Sequence, residues 1–254
     1  MDVNAIIYIA AGLAAGFIGT MAGSGSVVTL PLLLFLGVPV DVADGTIRLP
    51  ILAASMISVS TFYREKILDW KNGLWISVPF VLGALAGSEL ATVVVPQSLR
   101  MFIIAALVVV LLLLLYKPNR LLKARREETL RVGWEQMLIF FAVGLWAGFI
   151  LLDSGTFTLL ALVLGVRYDL TRAVAVKALL VLLAVVSSVL MFYGHSDVNW
   201  EIGGLLAIGG LFGGWAGAKI ASKEWAKIWI YRGLVFIVIG EILHLVYRFF
   251  FYKL

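Results

Sequence analysis

The sequence predicts an all-α integral membrane protein made of two inverted-topology repeats, each a glycine-tipped re-entrant helical hairpin followed by three transmembrane helices. Three observations predict it: the composition, an internal duplication, and the placement of basic residues. The 254 residues are 62% hydrophobic and 14% charged, with a mean hydropathy of +1.05. An ordinary soluble domain is roughly 45–50% apolar and about 25% charged, so a soluble globule is excluded. At roughly 20 apolar residues per spanning helix, the length holds about eight to ten membrane segments and no separate catalytic domain. There is no Cys, which removes disulfides and thiolate chemistry. The excess of 20 Lys and Arg over 15 Asp and Glu reports on topology, and nucleic-acid binding is not implied.

The duplication is read directly from the chain. Gly12 and Gly16-Phe17 recur as Gly144 and Gly148-Phe149, and Gly23-Ser24 recurs as Gly155-Thr156. Gly37 and Asp41 return as Gly165 and Asp169. Asp69-Trp70 and Gly73 match Asn199-Trp200 and Gly203, while Gly83, Gly87 and Ala91 match Gly213, Gly217 and Ala221. The boundary is the polar stretch 117–133, giving a first repeat over 1–116, a basic linker, and a second repeat over 134–254.

Each repeat opens with an apolar run, about 4–20 and about 135–151, that meets a small polar cluster. The run Met1-Asp2-Val3-Asn4 lacks the positive region of a signal peptide, so the apolar stretch from Ala5 is read as mature protein. Short runs follow, about 27–36 and 157–165, too brief to cross a bilayer at 1.5 Å per residue. Long and short run together make the hairpin. Three longer helices come next in each copy, about 46–63, 73–92 and 97–116, then 170–192, 200–219 and 227–250. Pro96 stands where the helix over 97–116 begins, a position that tolerates proline.

Basic residues assign the connections to sides. Lys117, Arg120, Lys123, Arg125, Arg126 and Arg131 make the central linker cytoplasmic. Arg64, Lys66 and Lys71, then Arg167 and Arg172, then Lys219, Lys223, Lys227 and Arg232 fall on the same side. Segments 1–4, 37–45, 92–98 and 193–199 carry no Lys or Arg and are assigned outside, with the amino terminus. The scheme inverts the second repeat relative to the first, and it places Arg248 and Lys253 outside, against the charge rule. Inverted repeats are the architecture of many secondary transporters in the cell membrane.

A hairpin tip of Gly, Ser and Thr leaves helix-end N–H groups and hydroxyls available to a ligand, and helix amino ends favour an anion. The candidates are Gly23, Ser24, Gly25 and Ser26 in the first tip, with Ser154, Gly155 and Thr156 in the second. Close helix packing is the competing explanation for such residues. Arg48 and Lys177 fall at nearly equivalent positions of the two repeats. An ionisable group within a span is costly and marks function by default; the pair would hold an anion, or instead snorkel or pair with Asp44 and Asp169. Glu241 and His244 share one helix face, and Asp153 and Glu89 are further acids in apolar runs, so these four are the proton-coupling candidates. His195 is read as solvated, and Trp70, Trp75, Trp134, Trp200 and Trp225 as interfacial anchors.

The ordered glycines carry a resemblance. Gly12-x3-Gly16-x2-Gly19-x3-Gly23-Ser24-Gly25, then Pro31-Leu32-Leu33, Gly37-Val38-Pro39, Ala43-x-Gly45-Thr46, Asp69-Trp70 and Gly83-x3-Gly87, is similar to the first half of the sulfite exporter TauE/SafE family, also called the toluene sulfonate uptake permease group. The second half carries a weaker echo. Two features depart from the family pattern: Gly23-Ser24-Gly25-Ser26 stands where many members have consecutive glycines, and Arg48 fits only a subset. The resemblance implies movement of sulfite, sulfonates or sulfoacetate-like anions across the cytoplasmic membrane.

The reading is therefore a non-enzymatic secondary transporter for a small anion, working by alternating access and surrounded by lipid. Homo-oligomerisation is left open. No cofactor and no metal are expected, with no Cys and two His in the chain. The rivals are an intramembrane serine hydrolase using a tip serine with His244, an anion channel, and an accessory membrane subunit.

Overall fold

The computed structural model describes residues 3–23, 25–91, 132–149, 154–192 and 198–251, together with Val108, Leu111, Leu112 and Leu115. The helices are α1 Val3–Met21, α2 Ser26–Phe35, α3 Val40–Arg64, α4 Trp70–Ala91, α5 Trp134–Phe149, α6 Ser154–Leu160, α7 Leu170–Phe192, α8 Trp200–Ala221 and α9 Ala226–Phe251. A π-turn, Ala161–Gly165, continues α6. No strand occurs among the described residues. The expected helix over 97–116 lies almost wholly outside them.

Among the described residues four helices are long and apolar enough to cross a membrane: Asn4–Met21, Val42–Arg64, Leu170–Ser187 and Trp200–Ala221. The short apolar pieces Ser26–Phe35 and Ser154–Gly165 follow the two small polar clusters, as the sequence predicts. In the first hairpin, α1 alone is of spanning length and only the return arm is short. Helix α3 starts six residues before its expected position at 46, so Gly37 to Pro39 make a tight turn. Gly37 takes φ +81°, and Val38 N–H donates to Leu33 O at 3.0 Å, closing α2 as a glycine C-cap does. In the second copy the left-handed position falls on Arg167, φ +69°, rather than on Gly165. The widened π-turn moves it two residues on.

The matched Asp69-Trp70 and Asn199-Trp200 pairs have one physical origin. Asp69 accepts a hydrogen bond from Asn72 N–H at 3.2 Å, and Asn199 from Ile202 N–H at 3.0 Å, so each carboxylate or amide caps a helix of 22 residues.

Packing crosses between the two halves of the chain. Helix α1 lies along α8, and α4 along α5. A Cβ at Gly12 would fall on the Leu206 carbonyl, one at Gly209 on Ile9 O, and one at Gly213 on Leu13 O. The same holds for Gly144 against Phe80 O, Gly148 against Ala84 O and Gly83 against Phe141 O. Residue numbers rise together in both pairs, so each runs parallel. Helix α7 fills the centre, with every residue from Ala173 to Leu180 buried, Lys177 among them, beside Phe62, Ile76, Phe80 and Phe140. Trp70, Trp75, Trp134, Trp200 and Trp225 are all exposed near helix ends.

Among the described residues, the connections that charge counting groups on one side gather at one end of the molecule. Lys219 pairs with Glu65 at 2.5 Å, joining the ends of α8 and α3. Asp169 lies 3.7 Å from both Arg172 and Lys227, and Lys227 lies 2.6 Å from Glu224. Tyr168 donates its hydroxyl to Asp69 at 2.9 Å, tying the start of α7 to the start of α4.

Burial, followed by the Asp69 carboxylate, pushes the Tyr168 phenol far above its ordinary value. A phenol raised in the folded state contributes stability that is present below the unfolded value of about 10 and lost as pH rises beyond it. The expected outcome is a melting temperature in detergent that falls above about pH 10 in the parent. Tyr168→Phe melts lower at neutral pH, having lost the bond to Asp69, and shows a shallower alkaline decline.

Candidate functional site

The two polar tips meet. A Cβ on Gly155 would fall on Gly23 O, so the sequence-equivalent glycines of the two copies lie backbone to backbone. Gly25 is equally close to Ala15 O, folding the first tip back onto its own helix. Beside this contact is a cavity of about 330 Å³. It is lined by Gly23, Gly25, Ser154 and Gly155 from the tips, by Arg48 and Asp44 from α3, and by Lys177 from α7. Thr20, Ser55, Ser58 and Ser88 add hydroxyls, while Ile51, Phe80, Ala84 and Val181 make apolar walls.

Of the residues singled out in sequence, Gly23, Gly25, Arg48, Ser154, Gly155 and Lys177 come together on this cavity. Ser26 and Thr156 are buried behind it, at 1% and 0% exposure, and do not line it. Ser24 and Asp153 lie outside the described residues, as do the side chains of Glu241 and His244 on α9. Glu89 is exposed on α4 and outside the lining, although its neighbour Ser88 is in it.

The two cations are held differently. Arg48 Nη2 donates to Asp44 Oδ2 at 2.8 Å, one turn away on the same helix, and the Asp44 side chain is 42% exposed. Pairing with Asp44 was one of the two alternatives for this arginine. Lys177 makes no ion pair with Asp169, which goes to Arg172 and Lys227. Its ammonium instead donates to Gly19 O at 2.8 Å and Thr20 O at 3.0 Å, carbonyls of the last turn of α1. Those carbonyls have no partner within their own helix and sit at the negative end of its dipole. Lys177 thus places a positive charge where α1 breaks, at the cavity wall. Next to it Thr20 Oγ1 and Ser58 Oγ are 2.9 Å apart, and Ser58 donates to Ala54 O at 2.6 Å.

Thr20, Ser55 and Ser58 were not among the sequence candidates. Their signal was three hydroxyls in otherwise apolar spans, two of them one turn apart on α3. Two buried basic groups and the amino end of α2 thus stand at the cavity, while Ser55, Ser58 and Ser88 give their hydroxyl protons to carbonyls of their own helices. Among the described residues no cluster of His, Asp or Glu could hold a metal ion.

Lys177→Ala strips the partner from two carbonyls and is expected to cost about 2–4 kcal/mol, at one to two for each buried acceptor left unpaired. Arg48→Ala leaves a half-exposed Asp44 that water can solvate, and is expected to cost less than about 1 kcal/mol. Thermal unfolding of both variants in detergent checks the order. Equal losses would overturn the distinction between the two cations.

Comparison with known proteins adds an independent finding. The profile of the family described as sulfite exporter TauE/SafE matches residues 8–242. Three similar proteins are a "Probable membrane transporter protein" of Haemophilus influenzae, "Probable membrane transporter protein ORF9" of a Sinorhizobium species, and "Probable membrane transporter protein YfcA" of Escherichia coli K12. The first is 25% identical over 88% of this chain and 87% of its own length. The second is 26% identical, over 88% and 85%. The third is also 26% identical, over 84% and 79%. No solved structure matches the chain.

Proposed function

The chain belongs to the sulfite exporter TauE/SafE family, and from that premise we propose that it is a secondary transporter moving small sulfur-containing anions across the cell membrane by alternating access. Its two repeats, 1–116 and 134–254, have inverted topology, with the amino terminus outside and the basic linker 117–133 cytoplasmic. The observation that carries the reading is the cavity at the junction of the two tips, where Arg48 and Lys177 both reach the wall. A duplicated chain whose equivalent loops converge on one polar cavity is what alternating access from repeats needs.

The dimensions and walls favour sulfonates over sulfite alone. The volume of about 330 Å³ exceeds a bare oxyanion, and Ile51, Phe80 and Val181 give an organic tail somewhere to lie. Arg48 presents a planar fork suited to a sulfonate, and Lys177 a point charge. The arrangement supports binding and release more than chemistry, since a covalent step would need a nucleophile within hydrogen-bond reach of a base.

The test combines binding with flux. Purified protein is heated with sulfite, thiosulfate, sulfate, sulfoacetate, taurine or neutral controls, and reconstituted protein is assayed for counterflow of labelled sulfoacetate. A ligand at 100 times its Kd stabilises by about 2.7 kcal/mol. The expected result is stabilisation confined to sulfur oxyanions and lost in Arg48→Ala, with saturable counterflow. Stabilisation without counterflow would point to a receptor or subunit, and flux without saturation or counterflow to a channel.

A further inference from the structure

The sequence makes two helix pairs equivalent, and the structure sets them one helical turn apart. Gly12-Leu13-x-Ala15-Gly16-Phe17 of α1 recurs as Gly144-Leu145-x-Ala147-Gly148-Phe149 of α5. Helices α4 and α8 each start at Trp after a capping Asp or Asn and end at Ala, with Gly73, Gly83 and Gly87 answering Gly203, Gly213 and Gly217. Thus α1 on α8 and α5 on α4 are one interface occurring twice.

The registers differ. Gly12 rests on Leu206 O, but its counterpart Gly144 rests on Phe80 O, and Phe80 corresponds to Gly210, four residues beyond Leu206. Gly16 rests on Gly210 O, whereas Gly148 rests on Ala84 O, and Ala84 corresponds to Gly214. Gly213 meets Leu13 O, whereas its counterpart Gly83 meets Phe141 O, and Phe141 corresponds to Ile9. All three comparisons are offset by four residues in the same sense, an axial step of about 6 Å at 1.5 Å per residue.

Both registers are open to α8. Glycines stand at 209, 213 and 217 on one row and at 210 and 214 on the next, so a helix moved one turn meets glycine again. The neighbouring contacts barely change. Gly203 meets Leu49 and Thr46 of α3, and Gly73 meets Leu179 and Val176 of α7, within two residues of equivalence. The displaced element is the first helix of each copy, which carries the tip.

Resting on the transporter reading above, we propose that transport moves α1 one turn along α8 toward its carboxy end, into the register that α5 already has on α4; α5 stays in place, because Pro79 stands where α8 has Gly209 and would fall on Phe141 O in the other register. Packed helices that ratchet by whole turns are a known form of switching. Three hydrogen bonds outside the glycine track hold α1 in its present register. Lys177 holds Gly19 O and Thr20 O, and Thr20 holds Ser58. An anion in the cavity draws on the same ammonium, which couples occupancy to release of α1.

The chain has no Cys, so spin labels can be placed at will. Ala10 with Trp200, and Ala142 with Trp70, are sequence-equivalent pairs of exposed residues. Their present axial separations are about 10 Å and about 16 Å from the helical rise. Pulsed dipolar measurements in liposomes, with and without sulfoacetate, are expected to show the first pair lengthening by up to about 6 Å while the second holds its distance. An unchanged first distance in a protein that performs counterflow would overturn the shift of α1 and leave the transporter standing. A chain that shows neither counterflow nor anion binding takes both down.

Gly217→Ala supplies the second arm. In the present register its Cβ meets Phe17 O at 3.0 Å and Thr20 Cβ at 3.1 Å, which small adjustments relieve. In the shifted register position 217 takes the place Gly213 has now, where a Cβ falls on Leu13 O. The variant is expected to bind sulfoacetate like the parent, lose counterflow at least tenfold, and keep both label distances at their present values. Counterflow at the parent rate would refute the proposal.

Discussion

Close backbone contact between helices from opposite halves of the chain is the constraint on which the rest depends. In lipid, apolar side chains gain little by leaving one hydrocarbon surface for another, so association relies on close packing and on polar contacts. Here the approach is as near as backbones allow, with Cβ-less positions at Gly12, Gly144, Gly148, Gly209 and Gly213 each set against a carbonyl. Because α1 is held by α8 and α5 by α4, each hairpin is braced by a helix of the opposite half. The tips are thereby carried to the middle, where Gly23 and Gly155 touch.

That meeting creates an electrostatic problem that the sequence solves asymmetrically. A helix ending inside the protein leaves carbonyls without partners, and their cost when buried is high. Lys177 supplies the donors from the otherwise apolar centre of α7, at 1% exposure. Arg48, its near-equivalent, is neutralised by Asp44 one turn away. The cavity therefore has one cation held by helix carbonyls and one held by a partly solvated carboxylate.

Much of the helix pattern was legible because hydropathy is local. The short run 27–36 marks a return arm, whereas Asp69 and Asn199 enter the reading only as repeat matches, and the Asp69 cap starts α4 at Trp70 rather than at 73. The tips and both cations were also visible, since polar residues in apolar runs stand out. The family resemblance read from the ordered glycines is borne out by the match over residues 8–242. Other features depended on distance. Nothing local says that Lys177 bonds Gly19 and Thr20, more than 150 residues away, because that requires α7 to cross behind the end of α1. The hydroxyls of Thr20 and Ser58 were passed over for the same reason: each satisfies a helix carbonyl or a neighbour as readily as a ligand. The shift of the left-handed residue from Gly165 to Arg167 comes from a π-turn, which leaves no mark in a hydropathy pattern.

Glycine in these helices has two consequences that pull in different directions. Removing Cβ permits the contact that holds the pairs together, yet it also leaves the surface smooth along the axis. A glycine row repeating every four residues presents nearly the same face one turn later. The α8 row 209, 213, 217 offers three such sites, while α4 offers Gly83 and Gly87 in the corresponding stretch, with Pro79 where α8 has Gly209. The pair with the longer glycine track is also the one whose register sits further back. Stable packing and a choice of registers therefore come from the same residues, and bonds outside the track, such as Lys177 to the end of α1, are left to select between them.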